Sequence, residues 1–445
     1  MKSSATSLMT QLFIKYKVIF IISFCMLIAG GLSLYSGEEN NHGFTESMIH
    51  SLDSVIDRHD ILGGTIVSFN DHGIKQYSFG KARLEQNIQW TDSTYFRIAS
   101  ISKFITAIAI MQLMEKGKYN LDTDISTLLN VPFRNSEFPQ IPITIRMLLN
   151  HTSTIRDSDG AFEFAKRSIY IDTVNNDTVI PAINQLFTQR YLTKETFLPK
   201  TVTLNSGEIV TAVPGTFFNY TNINFVILAW IIEKVSGISY AEYVQQHIFK
   251  PLNIKAGFLL QDIPNGSIIA TQYRYSNKKW NPEGDFLTKP FTLVYKPINT
   301  YEPGHNPFRF SPQAGLRIQA RDLAKLVHSF LSTDSLLSSE TTGLMLTESW
   351  NNDGHNSKLQ FNDLFQSWGL GLQILTNTPK KDKFNNVELQ YIGHIGRANG
   401  AYSTMFFNKA THEGFILFMN GIKTLPKGDH GFLQCEKDII SLIHQ

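Results

Sequence analysis

The strand-forming runs of this chain lie at its two ends and its helical runs lie between them. That placement restricts the folds open to it more than any other feature. Near the start, Glu46 to Asp57 carries Met48, Ile49, Leu52, Val55 and Ile56 at helical spacing. Two strand-like runs follow, Gly64 to Phe69 and Ile74 to Phe79, joined by the turn signal Asn70-Asp71-His72-Gly73. Tyr95 to Ile98 reads as a short strand, and an apolar helix starts near Ser100 and runs towards Lys116. From about 120 to 300, helical stretches alternate with long loops. Strand-like runs return at Leu370 to Leu375, Val387 to Ile392, Ser403 to Asn408 and Phe415 to Asn420, and Glu436 to His444 reads as a helix. The expected fold class is α/β in the α+β sense. An antiparallel sheet built from both chain ends is flanked by helices, with a mostly helical region inserted at about 120–300. The 445 residues, 42% of them hydrophobic, supply a core for it.

Forty Lys and Arg against 38 Asp and Glu leave a net charge of +2, without the basic excess of a nucleic-acid binder. Two cysteines make no disulfide framework. Thirteen histidines include no His-Glu-x-x-His and no His-x-His, so no metal site and no cofactor is expected. Val18 to Leu34 is uncharged, with Lys15 and Lys17 before it and Glu38 and Glu39 after it. This asymmetry sends the bulk of a chain across a membrane. Residues 1–36 are expected to be a signal peptide or membrane anchor, 37–44 a linker, and 45–445 one domain. The protein is then exported, periplasmic or otherwise extracytoplasmic, and attachment to the membrane through 18–34 remains open.

A serine followed three residues later by a lysine on a helix pairs a nucleophile with a base. The pattern occurs at Ser78/Lys81, Ser100/Lys103 and Ser276/Lys279. Ser78 falls in a strand, where its lysine points to the other face, and Ser276 falls in a polar loop. Ser100 follows Phe96-Arg97-Ile98-Ala99 and opens the apolar helix, where free N–H groups and the positive dipole end favour an oxyanion. An N-cap is the plainer role for it. Further on, Pro214-Gly215 leads to Tyr220-Thr221-Asn222 and an apolar helix that stops at Ser236-Gly237. Tyr275-Ser276-Asn277 repeats the spacing without that context and reads as a surface turn. A third element, Gly393-His394-Ile395-Gly396-Arg397, follows a strand, and Gly396 permits close approach to a ligand.

In this order the three elements resemble the serine β-lactamase and penicillin-binding protein superfamily, in its class C-like branch. That branch includes D-alanyl-D-alanine carboxypeptidase and family VIII esterase types. Leu148 to Ser153, Ile248 to Leu252, Ala314-Gly315-Leu316 with Asp322-Leu323-Ala324, and Trp368 to Gly371 are similar to further phrases of the family. The resemblance implies that Ser100 is acylated, with Lys103 and Tyr220 moving its proton. Which of the two is the acylation base stays open. It implies that Asn222 binds an acyl-side amide, that the backbone N–H groups of Ser100 and Arg397 form an oxyanion hole, and that His394 and Gly396 line the substrate. The expected substrate is a small molecule or peptide.

Two departures from the family pattern stand out. His394-Ile395-Gly396 replaces Lys or His followed by Thr or Ser, which weakens capture of a substrate carboxylate and favours an esterase or peptidase over an efficient β-lactamase. Thr154 stands where the family usually has glycine. Asp157-Ser158-Asp159-Gly160 and Asn175 to Asp177 are extra residues, and the first reads as a turn. The alternative reading is a membrane-tethered penicillin-binding or sensor module that is acylated with little turnover. No Gly-x-Ser-x-Gly occurs, which disfavours an α/β-hydrolase.

Overall fold

A computed structural model describes residues 43–171, 178–187, 196–285, 295–298, 301–332, 335–358, 360–361, 363–384, 390–425 and 431–444. The apolar run at 18–34 and Asn175 to Asp177 lie outside them. Thr45 caps helix α1 (Glu46–Arg58) by accepting from the Met48 N–H. Strands β1 (Ile61–Asn70) and β2 (Gly73–Arg83) form the expected hairpin and lead to the short β3 (Ile88–Gln89). From the other end of the chain come β4 (Trp350–Asn351), β5 (Ser367–Trp368), β6 (Gln373–Ile374), β7 (Tyr391–Ala398), β8 (Ala401–Asn408) and β9 (Gly414–Ile422). Among the described residues they make one nine-stranded antiparallel sheet in the order β4-β5-β6-β7-β8-β9-β1-β2-β3. The seam between the chain ends is β1 on β9, with Thr65 opposite Phe418. The sheet is therefore built from both ends, as the patterning requires.

Two helices behind this sheet are buried on every side. In α2 (Ser102–Glu115) each residue from Ser102 to Leu113 is buried, and in α3 (Ile223–Ser236) each from Ile223 to Glu233. A helix that is apolar all round belongs inside the protein. α3 ends on Gly237 at φ +77°, the left-handed stop its sequence calls for. α4 (Ala320–Ser332) and α5 (Gln434–Ile443) pack as amphipathic helices.

Several expectations need correction. The inserted region holds two β-hairpins besides its helices, Thr201–Thr203 with Ile209–Thr211 and Gln272–Ser276 with Lys279–Gly284. Ser276 and Lys279 face each other across the second hairpin, whose tip, Asn277-Lys278, has both residues at positive φ. Ser276 thus ends a strand instead of lying in a loop. The third element does not follow its strand: His394 and Gly396 lie inside β7, because Tyr391 to Ala398 pairs along its whole length with β8. Of the expected strand Val387 to Ile392, residues 387–389 lie outside the described residues.

Candidate active site

The chain reaches Ser100 through the short strand Phe96–Arg97, paired with Arg317–Ile318. Ala99 sits at φ +51°, a left-handed conformation that costs a non-glycine residue about 1 kcal/mol. The turn Ala99–Ile101 then presents Ser100 ahead of α2. Ser100 does not cap that helix: the N-cap position is Ile101, without a side-chain bond. The segment 312–316 wraps the same end. Thr106 Oγ1 donates to the Pro312 carbonyl, Arg97 Nε to that of Ala314, and the Leu316 N–H donates to Ser102 Oγ.

Lys103, one helical turn on, is fully buried. Its Nζ lies 3.0 Å from Ser100 Oγ, 2.8 Å from Asn222 Oδ1 and 3.0 Å from the Gln313 carbonyl oxygen. Burial pushes its pKa down to about 7, against the pull of the Asp157 carboxylate. Tyr220 is hydrogen-bonded to the Ser100 side chain, and burial raises its hydroxyl well above the ordinary phenol range. The Tyr220 ring packs against His151 (centroids 4.4 Å apart), Phe365 (5.1 Å) and Trp368 (5.8 Å), and 5.0 Å separates its centroid from Lys103 Nζ.

Three other residues hold the Tyr220 turn. The His151 carbonyl accepts the Asn219 N–H, and His151 Nδ1 accepts that of Thr221 at 3.3 Å. Gln360 Oε1 accepts the Tyr220 N–H at 2.8 Å. The Asp157 carboxylate accepts the Thr221 hydroxyl at 2.7 Å, the Asn222 side-chain amide at 2.8 Å, and the backbone N–H groups of Asn222 and Ile223 at 3.0 Å each. Asp157 therefore does not close a turn with Ser158-Asp159-Gly160. Ser158 instead caps a separate helix, Asp159–Ile169, and leaves Asp157 free to face α3.

Across the site, Gly396 meets the Ser100 turn. A Cβ there would lie 2.3 Å from the Ile98 carbonyl oxygen. The close approach permitted by this glycine is to the protein's own backbone, where a ligand was expected. His394 shares the Gly396 face of β7, since residues two apart in a strand point the same way. It is buried, and its Nδ1 lies 2.5 Å from the Ile395 carbonyl oxygen. A carbonyl can only accept, so Nδ1 carries the proton and Nε2 is left an acceptor without a partner among the described residues. Burial, then the neighbouring Lys103, push the His394 pKa down to about 3. Ile395 and Arg397 occupy the opposite face. Arg397 Nη2 there binds Glu436 of α5 at 2.6 Å, and Thr404, opposite Ile395, donates to the same carboxylate.

The Beta-lactamase family profile matches residues 50–432. The chain belongs to the β-lactamase family. It is 30% identical to Penicillin-binding protein 4* of Bacillus subtilis (strain 168) over 195 residues, 44% of this chain and 37% of that protein. The chain thus spans well under half the length of that curated relative. A solved structure of the octameric penicillin-binding protein homologue from Pyrococcus abyssi superposes with a TM-score of 0.62 at 23% identity, covering 89% of this chain and 76% of that one. EstCE1, a hydrolase with promiscuous acyltransferase activity, superposes with a TM-score of 0.62 at 19% identity over 90% of this chain and 99% of its own. The β-lactamase family includes serine hydrolases that act on small-molecule or peptide substrates.

Within this β-lactamase fold, Ser100, Lys103, Tyr220 and Asn222 converge, and His394 and Gly396 face them from β7. Sequence reasoning missed Asp157, Gln313 and Gln360. Asp157 had a signal, a carboxylate soon after the His151-Thr152-Ser153 phrase, but was set aside as a turn. Gln313 acts through its carbonyl, which no side-chain pattern shows. Thr154 keeps a loop made for glycine: it sits at φ +59°, with Asn135 Nδ2 donating to its hydroxyl at 3.1 Å.

Proposed function

We propose that this protein is an exported serine hydrolase that cleaves a neutral ester or amide through an acyl-enzyme on Ser100. The observation that carries this reading is Lys103: a buried amine 3.0 Å from Ser100 Oγ, with a pKa brought down to about 7. Two of its three neighbours, Asn222 Oδ1 and the Gln313 carbonyl, are pure acceptors. A neutral Lys103 gives its two N–H groups to them and turns its lone pair to Ser100. The serine proton passes to Lys103 Nζ as Oγ bonds the substrate carbonyl carbon. The carbonyl oxygen becomes an oxyanion held by the backbone N–H groups of Ser100 and Arg397, where one donor is commonly worth about 3 kcal/mol. As the C–O or C–N bond breaks, the leaving group takes a proton from Tyr220, which recovers one from Lys103. Water then attacks the acyl carbon, returns its proton through Tyr220, and releases the acid and free Ser100. The raised Tyr220 hydroxyl suits a proton donor better than a first base, which favours Lys103 as the acylation base.

The preference for neutral substrates rests on His394. Its only N–H is given to Ile395, and Arg397 is held by Glu436 on the far face of β7. Neither is free to meet a substrate carboxylate. A relay this complete favours turnover over a sensor that is only acylated. We further propose export directed by residues 1–36, with 18–34 crossing or anchoring in the membrane, 37–44 as linker and the hydrolase at 45–445. The test is mass spectrometry after a fluorophosphonate probe. An adduct on Ser100 that is abolished in Ser100→Ala is expected, and labelling that survives that substitution would falsify the assignment.

A further inference from the structure

Asn222 stands between two groups of fixed polarity. A carboxylate has only acceptors, so Asp157 requires the Asn222 –NH2 on its side, at 2.8 Å. Lys103 in turn meets Asn222 Oδ1 at 2.8 Å. The carboxylate thereby settles which way the amide points. It also fills the start of α3, where backbone N–H groups carry the positive end of the helix dipole.

We propose that Asp157 is the positioning residue of this site: by locking the Asn222 amide with its oxygen towards Lys103, it sets how readily Lys103 surrenders its proton. The proposal rests on the reading of Lys103 as base but concerns a different atom pair. The other titratable groups facing Lys103 are Tyr220, His151 and His394. Burial raises the Tyr220 hydroxyl, so it stays neutral. Burial also holds His151 well below its ordinary value and His394 at about 3, so neither carries charge near neutrality. The Asp157 carboxylate is the negative charge that acts on Lys103. Its replacement by asparagine removes that charge and lets the Asn222 amide turn over. The –NH2 then faces Lys103, a neighbour that only a neutral amine tolerates. The lysine therefore deprotonates at lower pH.

The experiment follows the Lys103 side-chain signal by NMR in full-length, isotope-labelled-lysine protein, assigned by its loss in Lys103→Met, and titrates it with pH. In Asp157→Asn the Lys103 midpoint is expected to fall by about one pH unit. The low-pH limb of Ser100 labelling by the fluorophosphonate should move down with it, while the maximal rate drops. Asp157→Ser offers a neutral hydroxyl oxygen that can accept from the first N–H groups of α3, so it supplies a second neutral variant should the asparagine protein fail to fold. A Lys103 midpoint unmoved in the neutral variant overturns the proposal. Absence of Ser100 labelling together with a shifted midpoint would bring down the hydrolase reading and leave the role of Asp157 standing.

Discussion

A carboxylate meets helix α3 at each end, Asp157 from an earlier segment of the chain and Glu233 from the helix itself, and the two are treated oppositely. At its N-terminus the half-buried Asp157 accepts from two backbone N–H groups, a hydroxyl and an amide. In its last turn Glu233, 1% exposed, accepts from the Tyr240 and Gly304 N–H groups at 2.8 and 2.7 Å and from the Tyr301 hydroxyl at 2.7 Å. The hydrogen bonding is similar in kind. Asp157 enjoys the positive end of the dipole, and Glu233 sits near the negative end, buried from solvent. Burial lifts the Glu233 pKa to about 7. The end of α3 that each carboxylate meets, and how deeply it is buried there, therefore decides which serves as a charge and which as a latch that ties the 301–304 loop to the core.

Substitutions in the site that the front end of α3 faces should have the largest effects. Lys103→Ala and Tyr220→Phe are each expected to lower kcat by about 10²-fold or more, and the double variant should lose less than the product of the two. Tyr275→Phe is the control. Its ring packs on Trp280 in the 272–284 hairpin, so a damaging effect there would mean that the wrong tyrosine has been chosen. With wild type, kcat/KM should fall about tenfold per pH unit as pH drops below the Lys103 value of about 7, since only the neutral amine is a base. A flat profile from pH 5 to 8 would remove Lys103 from that role. Next in size, His394→Lys should improve hydrolysis of carboxylate substrates relative to neutral esters by roughly tenfold, the worth of one charge-assisted hydrogen bond. Ester panels with and without a free carboxylate measure this ratio, and an unchanged ratio would mean that position 394 does not select on charge.

At the back end the readout is stability. The Glu233 value in the folded protein lies above its ordinary 4.5. The folded state then holds a proton the unfolded chain has lost, so this group stabilises most at low pH and loses its contribution as pH rises through about 7. The span is worth up to about 3 kcal/mol. In melting curves, the difference in Tm between wild type and Glu233→Gln should move against wild type as pH rises from 4.5 to 7.5, with kcat unchanged. If Glu233→Gln moves the low-pH limb of kcat/KM instead, the two ends of α3 are not independent. The smallest effect expected is none: a chain beginning at Asn40 should fold and retain full activity in the same assays.

Much of this was legible in the residues. The sheet from both ends could be read because alternation and turn signals are local, and the Ser100 turn because an apolar helix starts just beyond it. The end of β7 was misjudged because Gly393 and Gly396 look like strand breakers. Gly396 is needed inside the strand, where Ile98 comes too close for any side chain. Asp157 escaped because its partners lie more than sixty residues away and three of its contacts are with backbone or amide groups. Ile395 drew attention as the missing hydroxyl. In the structure it lies on the face of β7 turned to Glu436, so the argument about carboxylates passes to His394.

Lys103 also bears on how this protein can evolve. A buried amine whose pKa falls from 10.5 to about 7 weakens the fold, because the unfolded chain holds its proton over that whole range. Global stability should accordingly climb as solutions are made more alkaline between those values. Methionine at 103 would fill the same space without the desolvation penalty. A selection for heat resistance that ignored turnover would drift towards it, reaching sturdier and inert descendants, and only continued demand for catalysis keeps the lysine in place.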